Sequence, residues 1–199
     1  MMKKFGLSRS VAAGISLCAL ATAGMARADE TAECNEGAGA QSTECGAGAQ
    51  AVDEGGTAIG AGAFAGDIDV GIDANWATAI GYESVASGEG SFAGGYLSNA
   101  LGQSSIALGR SSVASGVASI STGQSSVASG DYSIAMGYQA SADKQNAVAI
   151  GNLSQSHGDG STAVGNNSGA VGRVSVALGS SSTALGLSSV AIRGLSEAD

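Results

Sequence analysis

The chain has 199 residues and contains no proline, a single histidine and only eight lysines and arginines. Each scarcity excludes something. With no proline, no backbone donor is missing from a β-ladder. His157 and so few bases leave little material for general acid–base chemistry. Against the eight basic residues stand 17 acidic ones, for a net charge of −9. A surface of that sign cannot neutralise phosphates, which excludes nucleic acid as a partner and disfavours anionic lipid headgroups.

Long apolar runs are scarce too. The one of note follows Lys3, Lys4 and Arg9, runs from Val11 to about Ala23, and leads into the small residues of Ala26-Arg27-Ala28. That is the order of a secretory signal peptide, with cleavage before Asp29. The run falls short of the ~20 residues a membrane-spanning helix needs, and no other segment is apolar enough to span. Residues 1–28 carry four of the eight basic residues and none of the 17 acidic ones, so removing them leaves four against 17, a net of −13. Two cysteines stay behind, Cys34 and Cys45, in the related stretches "ECNEGAGAQ" and "ECGAGAQ". An oxidising exterior favours a disulfide between them, with free thiols or cross-links between chains as the alternatives.

What is abundant is glycine, alanine and serine, and they keep time. From Ala77, blocks of 14 residues follow one another without a gap, starting at 77, 91, 105, 119, 133, 147, 161, 175 and 189. The first slot of every block is Ser or Ala. The third is Ala except at Ser121, and the fifth is Gly except at Arg193. A half-motif begins seven residues in, as in Ser112–Gly116 ("SVASG"), and mostly ends in Gly. A disordered Gly/Ser linker has the same composition but no reason to hold phase over nine blocks. Alternation with period two inside each half-block reads as strand, and the glycines as turns. Two strands of about five residues and two short turns make a coil. Coils stacked at about 4.8 Å make an all-β, parallel β-solenoid.

The alternation also sorts the faces. In "SIALG" (Ser105–Gly109) the small residues Ser105, Ala107 and Gly109 share the side that suits a narrow interior. The second slot then points outward with Ile106, Ile120, Ile134, Val148, Val176 and Val190. The fourth does so with Leu108, Met136, Ile150, Leu178 and Ile192. An aliphatic stripe of that size marks an interface, here expected between copies of the chain. The opposite arrangement, with aliphatics inside, is the competing assignment. The outward slots of the second wall are mixed, from Val85 and Asn99 to Gln155 and His157, and read as wet or as a contact surface.

In "SIALGRSS" (Ser105–Ser112), "NAVAIGNLS" (Asn146–Ser154) and "SVALGSSS" (Ser175–Ser182) the chain resembles the head repeats of YadA-like trimeric autotransporter adhesins. The resemblance covers about residues 42–196. It implies a left-handed parallel β-roll, three chains side by side, and an extracellular or outer-surface location on a Gram-negative bacterium. It also implies attachment to host matrix or cells. Family members add a coiled-coil stalk and a β-barrel anchor. "RGLSEAD" ends this sequence without heptads or barrel strands, so self-export and anchoring are not carried over.

The expected organisation is a signal peptide at 1–28 and an N-terminal segment with Cys34 and Cys45 at 29–55. The β-roll repeats follow at 56–196, with an insertion at about 67–76 and a tail at 197–199. The insertion, "GDIDVGIDAN", alternates Asp67, Asp69 and Asp73 with aliphatics. It lacks the sixth-position Gly and twelfth-position Glu of a calcium loop and reads as an acidic surface loop, with Trp76 packing at its return. No metal or cofactor site is expected. Tyr82, Tyr96 and Tyr138 share the sixth slot, at a turn, where exposed aromatics can anchor an interface. No His or Lys recurs to activate the serines, so no catalytic residue is expected. The functional reading is an exported, non-catalytic, homotrimeric adhesin head. An ice- or crystal-binding solenoid, which calls for a regular Thr row, and a structural surface or biofilm scaffold are the alternatives.

Overall fold

The computed structural model describes residues 34–67 and 74–193. The expected signal peptide, the tail, and Asp69 and Asp73 of the insertion lie outside the described residues.

Each 14-residue block lays down two short strands. The first takes the second to fourth slots, as at Ile106–Leu108, and the second takes the ninth and tenth, as at Val113–Ala114. Like pairs with like in the next coil, which gives a sheet of 12 strands backed by one of 10. Ile106 pairs with Ile120 and Val113 with Val127, both in parallel. Across the insertion Thr57 pairs with Thr78 and Phe64 with Val85, so the seven extra residues leave both ladders in register. No helix occurs among the described residues.

The strands are three and two residues long, shorter than the five expected. The turns take the difference. Twice per coil the chain reverses through a left-handed residue, as at Leu97 and Ser104, each at φ 55°. The fifth-slot glycine answers a second demand. Gly109 has φ 130°, and a Cβ on it would lie 2.7 Å from the carbonyl oxygen of Gly123 in the next coil. Side chains are excluded there by both backbone conformation and space.

The interior is narrower than a conventional core. Four slots point inward in each coil, the first, third, eighth and tenth, and from Ala77 to Ala184 they hold only Ala or Ser. These residues are buried, and the largest fully buried side chains are serines. Eighth-slot serines are partnered: Ser112 Oγ donates to Gly109 O at 2.9 Å and Ser168 Oγ to Gly165 O at 3.0 Å. Where Ser replaces Ala it finds another serine, as Ser121 Oγ does with Ser126 Oγ at 2.7 Å. The first-slot hydroxyls of Ser91, Ser105, Ser119, Ser133 and Ser175 are buried with no hydrogen-bond partner.

An antiparallel strand covers the N-terminal end of the described ladder. The strand β1 (Cys34–Glu36) runs antiparallel to β2 (Thr43–Cys45), and a disulfide joins Cys34 to Cys45 across that pair. The strand β2 pairs in parallel with Thr57–Ile59, so the coil ladder already includes it, ahead of residue 56. Glu44 occupies the inward slot that holds Ala in later coils. The residue is 6% exposed, and its carboxylate accepts the N–H of Ala51 at 2.7 Å. Ala51 belongs to β3 (Gln50–Ala51), the outermost strand of the 10-stranded sheet. Its carbonyl accepts from Gly39 N at 3.2 Å. The backbone N–H and C=O of an edge-strand residue are thereby both satisfied. Nearby, Asp53 Oδ2 accepts from Asp67 N at 2.8 Å and Ala74 N at 3.1 Å, pinning the two ends of the insertion together.

Two outcomes follow from these contacts. Ser112→Ala should lower stability by about 1 kcal/mol, since it deletes a made hydrogen bond. Ser105→Ala deletes an unmade one and should leave the urea midpoint unchanged or raised. Equal losses at the two sites would show that the first-slot hydroxyl has a partner in solution. Separately, thiol titration of the denatured, unreduced protein should find neither Cys34 nor Cys45 free. After reduction, amide exchange should quicken at β1 and β2 before it does in the central coils.

Candidate functional site

Strand alternation fixes what faces outward. In Ile106–Leu108 only Ala107 is fully buried, with Ile106 half-buried and Leu108 40% exposed. The inside of the coil therefore takes the alanines, and the aliphatics point away from it. Parallel pairing without lateral slip stacks them in columns. Ile106, Ile120, Ile134 and Val148 follow in one file, continuing through Thr162 to Val176 and Val190. Beside it run Leu108, Thr122, Met136, Ile150, Val164, Leu178 and Ile192 in the same register. From Thr78 to Ile192 no outward slot of this sheet carries a charge. A flat, charge-free face with half-covered aliphatics is suited to burial against another apolar surface.

The second wall differs. Its outward positions include Asn99, Ser115, Asp143, Gln155 and His157. Asp143 Oδ1 and His157 Nδ1, one coil apart, lie 3.0 Å from each other on partly exposed side chains. Polar ladders of this kind recur at the edges of the solenoid. Gln103 Nε2 donates to Glu89 Oε2 at 2.6 Å, and Asn166 Nδ2 to Asn152 Oδ1 at 3.0 Å, each one coil apart.

The sixth-slot tyrosines stand at the turn after the first strand and are all exposed. Tyr82 and Tyr96 stack with ring centroids 5.3 Å apart and planes 10° from parallel. Arg110, next in the same slot, places its guanidinium carbon 5.8 Å from the Tyr96 centroid. Tyr138 lies further along, between Gln124 and Asn152 in that slot. Trp76, expected to pack at the return of the insertion, lies against Gly55 yet remains 60% exposed.

Several contacts escaped the sequence reading. Glu44 and Asp53 were concealed because capping residues interrupt the repeat. The Arg110–Tyr96 and Asp143–His157 contacts were accessible in principle, since residues 14 apart become neighbours. Among the described residues no group of three or more His, Cys, Asp or Glu is placed to hold a metal ion. No helix among them is long and apolar enough to cross a membrane, which says nothing of β-barrels.

No curated protein sequence matches the chain significantly. Among solved structures, the collagen-binding domain of the Yersinia adhesin YadA is similar at 29% identity. That match covers 60% of this chain and 70% of the other, with a TM-score of 0.41. The family model for the YadA head domain repeat matches residues 77–98, 100–126, 114–140, 128–154, 142–168 and 170–192. Four of these matches begin at 100, 114, 128 and 142, in steps of the same 14 residues that separate paired strands. More than half of the chain is covered, with strand pairing in the phase of the repeat, and the chain belongs to the YadA head repeat family of adhesins.

Proposed function

We propose that the protein is an exported adhesin head, displayed at or released from the outer surface of a Gram-negative bacterium. In this reading residues 1–28 direct export, 29–55 form an N-terminal segment whose strands at 43–45 and 50–51 already join the ladder, 56–196 carry the rest of the β-roll, and 197–199 form the tail. Three copies pack through the aliphatic face, and the remaining surface meets extracellular matrix or a cell-surface ligand. The head has no catalytic role. The observation that carries the reading is the charge-free double file running from Ile106 and Leu108 to Val190 and Ile192.

The energetics favour association. The coil interior buries only alanine and serine, so the largest apolar side chains gain little from folding of one chain. Each aliphatic residue that becomes fully buried contributes about 1.5–3 kcal/mol relative to full exposure, and these residues begin half-covered. A file of this length exceeds the several kcal/mol lost on association even after that discount. The second wall, where Val85, Leu101, Val113 and Val127 alternate with polar and charged residues, gains less, which favours the aliphatic face for self-assembly and leaves the second wall for a ligand.

Light scattering on the purified head should give three times the chain mass at micromolar concentration. Ile106→Asp combined with Ile134→Asp should give folded monomers, because it places unpaired charges in the interface. A wild-type protein that remains a folded monomer would overturn the assembly. In a panel of immobilised matrix proteins, wild-type head should be retained on at least one. Retention on none would remove the matrix from the proposal and leave a structural role at the cell surface.

A further inference from the structure

The tyrosine stack has two ends, and they differ. At one end the Arg110 guanidinium lies over Tyr96, 5.8 Å from its centroid. At the other end is Tyr82, whose partner face is taken by Tyr96 and whose opposite face looks back along the solenoid. The preceding coil carries Gly60-Ala61-Gly62 at this turn, and the coil before it Gly46-Ala47-Gly48. No side chain longer than a methyl group stands in either turn. A Cβ added to Gly48, two coils before Glu83 in the same slot, would meet nothing within 4 Å.

One other group borders this corner. Glu83 follows Tyr82 and is tied to the preceding coil through its backbone N–H, which donates to Ala61 O at 2.9 Å. Its Cγ lies over Gly62, where an added Cβ would come within 3.1 Å of it. The negative charge of its carboxylate, beside Tyr82, pushes the Tyr82 pKa up. The corner thus combines an aromatic face, a carboxylate beside it and a floor of glycine and alanine. Within slots five to seven of these coils the nearest cation, Arg110, is on the far side of the stack.

The geometry points to a subsite on Tyr82 and Glu83 that takes a cationic side chain, an arginine or lysine on an approaching protein. The molecule already displays the mode of binding, since Arg110 occupies the equivalent face of Tyr96 at the other end of the stack. A quadrupolar ring face attracts a cation, and arginine stacks on it with its planar group. The Glu83 carboxylate adds a charge of the right sign, and the net charge of −9 steers basic segments toward the surface. Glycine and alanine in the two preceding turns let the guanidinium approach without displacing protein atoms. The inference does not depend on the trimer or on matrix binding.

The test is an aromatic NMR titration of the intact head with a hexa-arginine peptide at low salt, with hexa-glutamate as control. The Tyr82 ring resonances should shift with hexa-arginine and not with hexa-glutamate. Tyr82→Leu should weaken binding of the peptide ~2- to 5-fold, the range of one exposed cation–π contact, while Tyr82→Phe keeps the affinity. Glu83→Gln should weaken it further at low salt and flatten its salt dependence. Because both residues are exposed, circular dichroism should be unchanged in every variant. Tyr82 resonances that do not respond to hexa-arginine would overturn the subsite. So would a Tyr82→Leu protein that binds the peptide as the wild type does, which would place it elsewhere on the acidic surface.

Discussion

In the coils from Ala77 to Ala184 the two walls lie so close that nothing larger than a hydroxymethyl group stands between them. The rest of the structure depends on that spacing. It restricts the inward slots to Ala and Ser, as in Ser105, Ala107, Ser112 and Ala114. The same crowding puts glycine in columns where one turn lies on the next, so that Gly109 has the carbonyl of Gly123 where a Cβ would stand. Large aliphatics cannot enter such an interior, and they are displaced to the outside of the first sheet. An exposed apolar face is therefore a consequence of the core and not an addition to it.

A core of alanine and serine contributes less apolar burial per residue than one of leucine and phenylalanine. The structure relies instead on long-range backbone hydrogen bonding between coils, with contacts such as Ile106 N to Ser119 O at 2.9 Å repeated along the stack. Such a ladder behaves as a one-dimensional array, in which each coil is supported by its neighbours and the ends are the weak points. The described N-terminal end is accordingly reinforced by a disulfide, an antiparallel strand and the buried carboxylate of Glu44. The half-covered aliphatics supply what the interior cannot, once another apolar surface covers them.

Much of the fold was legible because the repeat is a physical ruler. A period of 14 without gaps predicted which strands pair and in what register, and Ile106 against Ile120 follows from counting alone. The outward path of Ile106 and Leu108 was legible from alternation, although alternation by itself also allowed the reverse. Strand length was not legible. The left-handed conformation of Leu97 or Ser104 carries no signature in those residue types, since leucine and serine rarely adopt it. The capping group was hidden for another reason. Glu44 does its work by departing from the repeat, and a departure looks the same whether it caps an end or interrupts a surface.

The sequence by itself determined the period, the pairing of each coil with the next, and the restriction of one face to small residues. These are local and repetitive, so the chain states them many times. The tertiary structure decided which face is the inside, because that choice rests on the distance between two walls that are never adjacent in sequence. It also decided which same-slot residues touch. Tyr82 on Tyr96, Arg110 over Tyr96 and His157 beside Asp143 depend on side-chain directions at a common height. Counting brings those residues level with one another, and only the folded turns aim them together.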